Sequence, residues 1–123
     1  MEPRTLYLIK RAEIEATSRM ARALEQYGLT PIQFTVLYFV NDDPADLSSA
    51  QLSRRFSMTP QSMNELVAVL EKKKLLKKTT DKSHKRILRI SLTAKGKSTL
   101  ADCNGVLDSL EETLLKSMSA AET

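Results

Sequence analysis

Two short helical patterns with clear start signals precede a run of alternating apolar residues, and this order constrains the fold more than any other feature. Ser48 and Gln51 have the spacing of a capping box, which predicts a short helix from there to about Phe56. Thr59 followed by Pro60 predicts a second start, because threonine can cap a helix and proline suits its first turn. Two short helices joined by a few residues are typical of a helix–turn–helix.

The segment after the second helix predicts a β-hairpin with a basic tip. Leu88, Ile90 and Leu92 alternate with Arg89 and Ser91, which is the period of a half-buried strand. A helix–turn–helix followed by a hairpin is a winged helix. The predicted fold class is therefore mainly α with a small β-hairpin.

Apolar seams at both ends of the chain predict two long flanking helices, over about residues 5–27 and 94–118. Gly28 should end the first of them, Thr30 and Pro31 should start the next, and the polar cluster from Asn41 to Pro44 should form a loop. A terminal helix this long needs a packing partner, so we expect one domain over residues 1–123 in which residues 29–93 form the winged lobe and the terminal helices pair with a second copy. The side chains expected at that dimer contact are Leu6, Ile9, Leu100, Leu107, Leu110 and Leu114.

Positive charge is concentrated in one stretch of the chain. The net charge is +4, yet residues 71–97 hold eleven lysines and arginines against two acidic residues. Such concentration on a small domain is typical of a protein with a polyanionic partner. A solvated, lysine-rich surface would give the same pattern.

Other classes of protein are disfavoured by the composition. With Cys103 as the one cysteine and His84 as the one histidine, the sequence offers no metal cluster and little from which to build a catalytic site. No apolar run approaches the roughly 20 residues of a membrane span, and the N-terminus lacks the pattern of a secretory signal. We therefore expect a cytoplasmic protein that is not an enzyme, needs no cofactor and uses Cys103 as a core residue rather than a redox sensor.

Residues 29–96 resemble the core of the multiple-antibiotic-resistance regulator (MarR) family. The matching stretches, in the family's order and spacing, are Leu29–Leu37, Met58–Met63, Leu66–Val67, Leu70–Leu76 and Leu92–Gly96. The resemblance implies a homodimeric transcriptional regulator, by default a repressor, that binds an inverted repeat in double-stranded DNA. It also implies a recognition helix in the major groove, a wing at the minor groove, and release by a small aromatic or phenolic ligand.

The sequence departs from the family's pattern in three places. Lys74 stands where the family usually has glycine, so the turn before the hairpin is expected to differ. His84 stands where the family has an aspartate that braces the wing arginine. The sequence also stops soon after the long last helix, where members of the family often have a further dimerising helix.

The candidate DNA-binding residues fall into three groups. Base contacts are expected from the polar face at the start of the second helix: Thr59, Gln61, Ser62 and Asn64. Wing contacts are expected from Lys82, His84, Lys85 and Arg86, of which Arg86 matches the family's minor-groove arginine. Backbone contacts are expected from Arg54, Arg55, Lys72 and Lys73, although the two lysines could equally serve the helix dipole.

Two interpretations remain open at the level of sequence. Tyr7, Arg11 and Tyr38 are candidates for the border of an effector pocket, but a core role for such aromatic residues is the commoner one. The alternative function is a winged-helix module that binds protein or RNA, or binds DNA without sequence preference. Glu65 and the shortage of arginine on the second helix favour that alternative.

Overall fold

The computed structural model describes residues 3–42, 47–80 and 88–122. The helices are α1 (Pro3–Glu25), α2 (Pro31–Asp42), α3 (Ser49–Arg55), α4 (Pro60–Lys72) and α5 (Ala94–Glu122), and the strands are β1 (Leu76–Thr80) and β2 (Leu88–Leu92). The predicted fold class, mainly α with one β-hairpin, is confirmed. None of the helices within these ranges is long and apolar enough to cross a membrane.

The chain divides into two compact units. The first, which we call the helical unit, comprises residues 1–31 and 102–123, and the second, the winged unit, comprises residues 32–101. In the helical unit Leu24, Leu29, Cys103 and Leu107 are buried. These side chains come from α1, the segment after it and the later part of α5, so both helices contribute to one apolar core.

The first helix ends slightly earlier than its seam suggests. α1 stops at Glu25, and a turn follows in which the N–H of Tyr27 donates to the carbonyl of Leu24 (2.9 Å) and that of Gly28 to the carbonyl of Glu25 (3.0 Å). Gly28 has a φ of +69°, the left-handed conformation expected of a glycine that ends a helix. The next helix, α2, extends through Asn41 and Asp42, which the sequence pattern placed in a loop.

In the winged unit, both predicted helix starts are confirmed. The Ser48 side chain accepts from the N–H of Gln51, and the Gln51 side chain in turn accepts from the N–H of Ser48 (2.9 Å), which completes the capping box of α3. Thr59 caps α4 and Pro60 occupies its first turn. α3 and α4 pack together with Leu52, Met63 and Val67 fully buried, so the pair forms a helix–turn–helix with its own core.

The hairpin pairs β1 with β2 in antiparallel register, from Leu76 opposite Leu92 to Thr80 opposite Leu88. Segment 47–48 adds a short third partner, since the N–H of Ile90 donates to the carbonyl of Leu47 (2.8 Å). This contact ties the start of α3 to the wing. The predicted tip residues Lys82, His84, Lys85 and Arg86 lie outside the described residues.

The turn between α4 and β1 is held by the start of α5. Lys74 has a φ of +63°, so lysine adopts the left-handed conformation that a glycine at this position would adopt freely. The Thr93 hydroxyl donates to the carbonyl of Lys74 (2.6 Å), and the N–H of Thr93 donates to the carbonyl of Leu75 (3.1 Å). At Gly96 a Cβ atom would collide with the Leu75 carbonyl oxygen. The Leu92–Gly96 stretch therefore serves as a clamp on this turn.

Candidate nucleic-acid interface

The first turns of α4 expose a polar surface. Thr59, Gln61, Ser62 and Asn64, the four residues predicted to contact bases, are all exposed. Thr59 is also the helix cap, since its Oγ1 accepts from the N–H of Ser62 (3.1 Å) and lies 2.9 Å from the Ser62 hydroxyl. Both hydroxyls therefore have a structural role, while Gln61 extends from the same exposed face.

Asn64 connects the two helices of the helix–turn–helix. Its Oδ1 accepts a hydrogen bond of 2.5 Å from the hydroxyl of Ser49, at the start of α3. A bidentate contact to adenine requires an amide to accept and donate at once, and this bond already occupies one of the two lone pairs of the accepting oxygen. The amide nitrogen of Asn64 is then better placed to donate to a phosphate or to a purine acceptor.

Arg89 is a candidate residue that the sequence pattern did not single out. It lies on β2, bridges to Ser48, and donates from Nη1 to Oε1 of Gln51 (3.3 Å). The same Gln51 oxygen lies 3.2 Å from the Ser48 hydroxyl. The α3 capping box therefore also orients an arginine of the wing. Sequence spacing could not reveal this contact, because 38 residues separate Arg89 from Gln51.

A groove of about 490 Å³ lies beside this network, between α3 and β2. Its polar lining includes the guanidinium groups of Arg54 and Arg89 and the side chains of Ser48, Ser49 and Gln51, with no carboxylate among the described residues that line it. Two cations and two hydroxyls together attract an anion such as a backbone phosphate. The groove continues, through the Ser49–Asn64 bond, to the polar face of α4.

The remaining basic candidates have different surroundings. Arg55 lies 5.7 Å from the centre of the Phe39 ring, and Nζ of Lys73 donates to Oε1 of Gln33 (3.2 Å), so both have structural partners. Lys72 is exposed on the last turn of α4. On β1, Lys78 pairs with Glu71 (3.3 Å), which neutralises one charge of the basic stretch.

The predicted effector-pocket residues lie in different units. Tyr7 (62% exposed) and Arg11 belong to α1 in the helical unit, where Arg11 lines a groove of about 700 Å³. Tyr38 belongs to the winged unit, is 45% exposed, and packs against Phe34 and Phe39 with ring centres 6.2 and 5.9 Å apart. Within its unit Tyr38 is thus the exposed edge of an aromatic cluster.

Cys103 is fully buried on α5. Burial, with a smaller contribution from the negative charge of Asp102, raises the pKa of its thiol above the ordinary value. A thiol of this kind is a poor nucleophile at neutral pH, because the thiolate is the reactive form. In the described part of the chain, no three His, Cys, Asp or Glu side chains come together to hold a metal ion.

The residues predicted at a dimer contact also differ in exposure. Leu6 and Ile9 are 57% and 54% exposed, whereas Leu100 and Leu107 are buried within the chain itself. The remaining two, Leu110 and Leu114, are half-buried. Leu6 and Ile9 therefore offer a second copy far more side-chain surface than Leu100 and Leu107 do.

Comparisons with known proteins agree with this architecture. The profile described as MarR family matches residues 27–87. The HTH-type transcriptional repressor Rv2887 of Mycobacterium tuberculosis is 30% identical over 116 residues, which is 94% of this chain and 83% of that protein.

Two solved structures share the fold. The first, Rv2887 of M. tuberculosis in complex with p-aminosalicylic acid, has a TM-score of 0.73 and 30% identity over 89% of this chain and 82% of that one. The second, the Staphylococcus aureus MepR–DNA complex, has a TM-score of 0.79 and 24% identity over 90% of this chain and 82% of that one. With a capped helix–turn–helix, an attached hairpin and a relative of this similarity along nearly its whole length, the chain belongs to the MarR family of winged helix–turn–helix transcriptional regulators.

Proposed function

We propose that the protein is a repressor that acts as a homodimer on an inverted repeat in double-stranded DNA, with α4 as its recognition helix. The observation that carries this proposal is the exposed polar face of α4 beside a groove that contains Arg54 and Arg89. Base-edge contacts come from Gln61 and Asn64, and phosphate contacts come from the groove. This division supplies both sequence preference and affinity.

The wing extends the same surface. Lys77 is exposed on β1, and the sequence between β1 and β2 adds three further positive charges, Lys82, Lys85 and Arg86. Each phosphate that they neutralise adds roughly 0.9 to the slope of log affinity against log salt. His84 lies in the same segment of the sequence and is a further candidate for phosphate contact.

The exposed apolar surface at the start of α1 supports dimer formation. Leu6, Tyr7, Leu8 and Ile9 are four successive residues, and each is more than half exposed. Since successive helical residues are about 100° apart, these four leave apolar surface on every side of the helix. A second copy that covers this surface would give the protein two recognition helices, and dimers of helix–turn–helix proteins bind half-sites about one DNA turn, roughly 34–36 Å, apart.

A small aromatic acid would act as the releasing ligand. The complex of Rv2887 with p-aminosalicylic acid supports this class of compound for a relative of 30% identity. A ligand shifts the equilibrium between DNA-bound and free protein only by its difference in affinity for the two states. The expected result is that p-aminosalicylic acid weakens DNA binding without unfolding the protein.

Cytoplasmic location is part of the same proposal, because the DNA target lies there in a bacterial cell.

Fluorescence anisotropy with a labelled duplex, a single-stranded RNA of equal length and a titration of salt tests this function. We expect the protein to bind the duplex more tightly than the RNA, with an affinity that falls steeply as salt is raised. A Gln61→Ala variant should lose preference among duplexes while keeping the salt slope, because Gln61 contributes no charge. Equal binding of RNA and duplex, or no binding of duplex at low salt, would contradict the proposal.

A further inference from the structure

The helical unit presents two charged stripes of opposite sign. The first, the arginine stripe, consists of Arg11 and Arg22 on α1 with Ile14 between them, and these three line the groove of about 700 Å³ together with Glu15, Ser18, Arg19 and Leu110. Arg11 and Arg22 are exposed, and Ile14 is 59% exposed. The two arginines are three helical turns apart, a separation of roughly 16 Å along one face of the helix.

The second, the acidic stripe, lies on α5. Asp108, Glu111, Glu112 and Leu115 occupy positions i, i+3, i+4 and i+7, so they share one face of the helix. All four are exposed, and Leu115 is 64% exposed. Like the arginine stripe, this face combines like charges with one large apolar side chain.

Neither stripe is neutralised within the part of the chain that the structure describes. Other charges on α1 are paired locally, Lys10 with Glu13 (3.2 Å) and Arg19 with Glu15 (2.9 Å). Among the described residues, no such pair is found for the arginines of the one stripe or the carboxylates of the other. The two opposite charges therefore remain available to a partner.

We infer that the acidic stripe of a second copy docks along the arginine stripe, so that two reciprocal sets of ion pairs select the partner and the orientation of the dimer. This inference rests on the dimer proposed above and adds which side chains determine the pairing. A two-fold dimer is self-complementary, so each chain must carry both halves of the contact. This chain does so, and the arginine stripe adjoins the exposed apolar start of α1, so the two surfaces are continuous.

Charge reversal with a mixing step tests the inference. The variant Arg11→Glu/Arg22→Glu and the variant Glu111→Lys/Glu112→Lys should each dimerise at least ten-fold more weakly than the wild type in sedimentation equilibrium. Mixed in equal amounts, they should form heterodimers with affinity close to that of the wild type, because both reciprocal contacts then join opposite charges. A matched reversal of exposed lysines in the winged unit, Lys77→Glu/Lys97→Glu, should leave dimerisation unchanged.

The outcomes separate this inference from the proposed function. If both reversed variants dimerise like the wild type, or if their mixture gains no affinity, the pairing is overturned while the dimer itself stands. If the wild type is monomeric at every concentration, the proposed dimer fails and the pairing fails with it. Recovery of affinity in the mixture would itself exclude misfolding as the cause of the loss, since misfolded chains could not restore each other's contact.

Discussion

At the scale of single residues, backbone conformation and burial explain the positions where this chain departs from simple patterns. Lys74 adopts a φ of +63°, and the clamp from Thr93 holds it there. A left-handed conformation costs a residue with a Cβ atom about 1 kcal/mol. The hydrogen bonds from Thr93 therefore hold the turn in spite of this cost.

Replacing Lys74 with glycine should stabilise the protein. We expect Lys74→Gly to raise the free energy of unfolding by roughly 0.5–1 kcal/mol, because glycine adopts the left-handed conformation without a steric penalty. Urea denaturation followed by circular dichroism measures this change. Lys74→Ala is the control, since it removes the charge but keeps the Cβ atom. An equal gain in both variants would show that charge, not conformation, is responsible.

Cys103 should react slowly with alkylating reagents in the folded protein. Its raised pKa keeps the thiol protonated at pH 7–8, and burial removes access. Stability should also fall as pH rises above the ordinary thiol pKa of about 8.5, because the unfolded chain then releases a proton that the folded chain retains. Alkylation rates with and without denaturant, followed by mass spectrometry, check this. Equal rates in the two conditions would contradict the protection expected from burial.

At the scale of elements, local signals in the sequence predict helix starts and strands well, whereas contacts between segments distant in sequence are not predicted. The Ser48–Gln51 capping box and the alternation from Leu88 to Leu92 depend on neighbours within a few residues, so their spacing suffices. The bridge from Ser48 to Arg89 depends on how the hairpin folds back on α3, which no spacing encodes. The apolar periodicity of α5 likewise does not distinguish side chains that are buried within the chain, such as Leu107, from side chains that remain exposed for a partner.

The groove between α3 and β2 gives a prediction for DNA binding. We expect Arg89→Gln to weaken binding to every duplex by a similar factor and to reduce the salt slope by about one unit, because one phosphate contact is lost. Anisotropy titrations at several salt concentrations measure both quantities. Lys97→Gln removes one exposed positive charge at the start of α5 and serves as the control. A loss of preference among duplexes, with the slope intact, would instead assign Arg89 to base contact.

The clamp at the start of α5 gives a prediction for stability. Gly96→Ala should destabilise the protein by roughly 2–4 kcal/mol, since its Cβ would collide with the rigid backbone carbonyl of Leu75. Gly105→Ala, later in the same helix, provides the contrast because no described atom lies within 4 Å of the point that its Cβ would occupy. Alanine is the better helix former, so this variant should gain up to about 1 kcal/mol. Thermal denaturation of the two variants tests the difference in sign.

At the scale of the whole molecule, function depends on two copies acting together. One winged unit offers a short polar helix face and the groove between α3 and β2, which are modest surfaces for specific recognition. Two copies on an inverted repeat double these contacts and fix their spacing. The exposed apolar start of α1 is the feature of the chain that most directly favours a dimer.

Charging that apolar surface should separate the copies without unfolding them. We expect Leu6→Lys/Ile9→Lys to be monomeric at concentrations where the wild type is dimeric, and to bind DNA at least ten-fold more weakly. Both side chains are more than half exposed, so the core is untouched. Sedimentation equilibrium and circular dichroism report assembly and folding. A dimeric variant with native spectra would place the contact elsewhere on the molecule.

The proposed function requires that two paired copies recognise a specific DNA sequence. Selection of binding sites from a random duplex library at physiological salt tests this requirement most directly. We predict enrichment of an inverted repeat whose half-sites lie about one helical turn apart, because two α4 helices related by two-fold symmetry read it. Enrichment of no sequence, while binding persists at low salt, would contradict that prediction. The protein would then bind phosphates without reading bases.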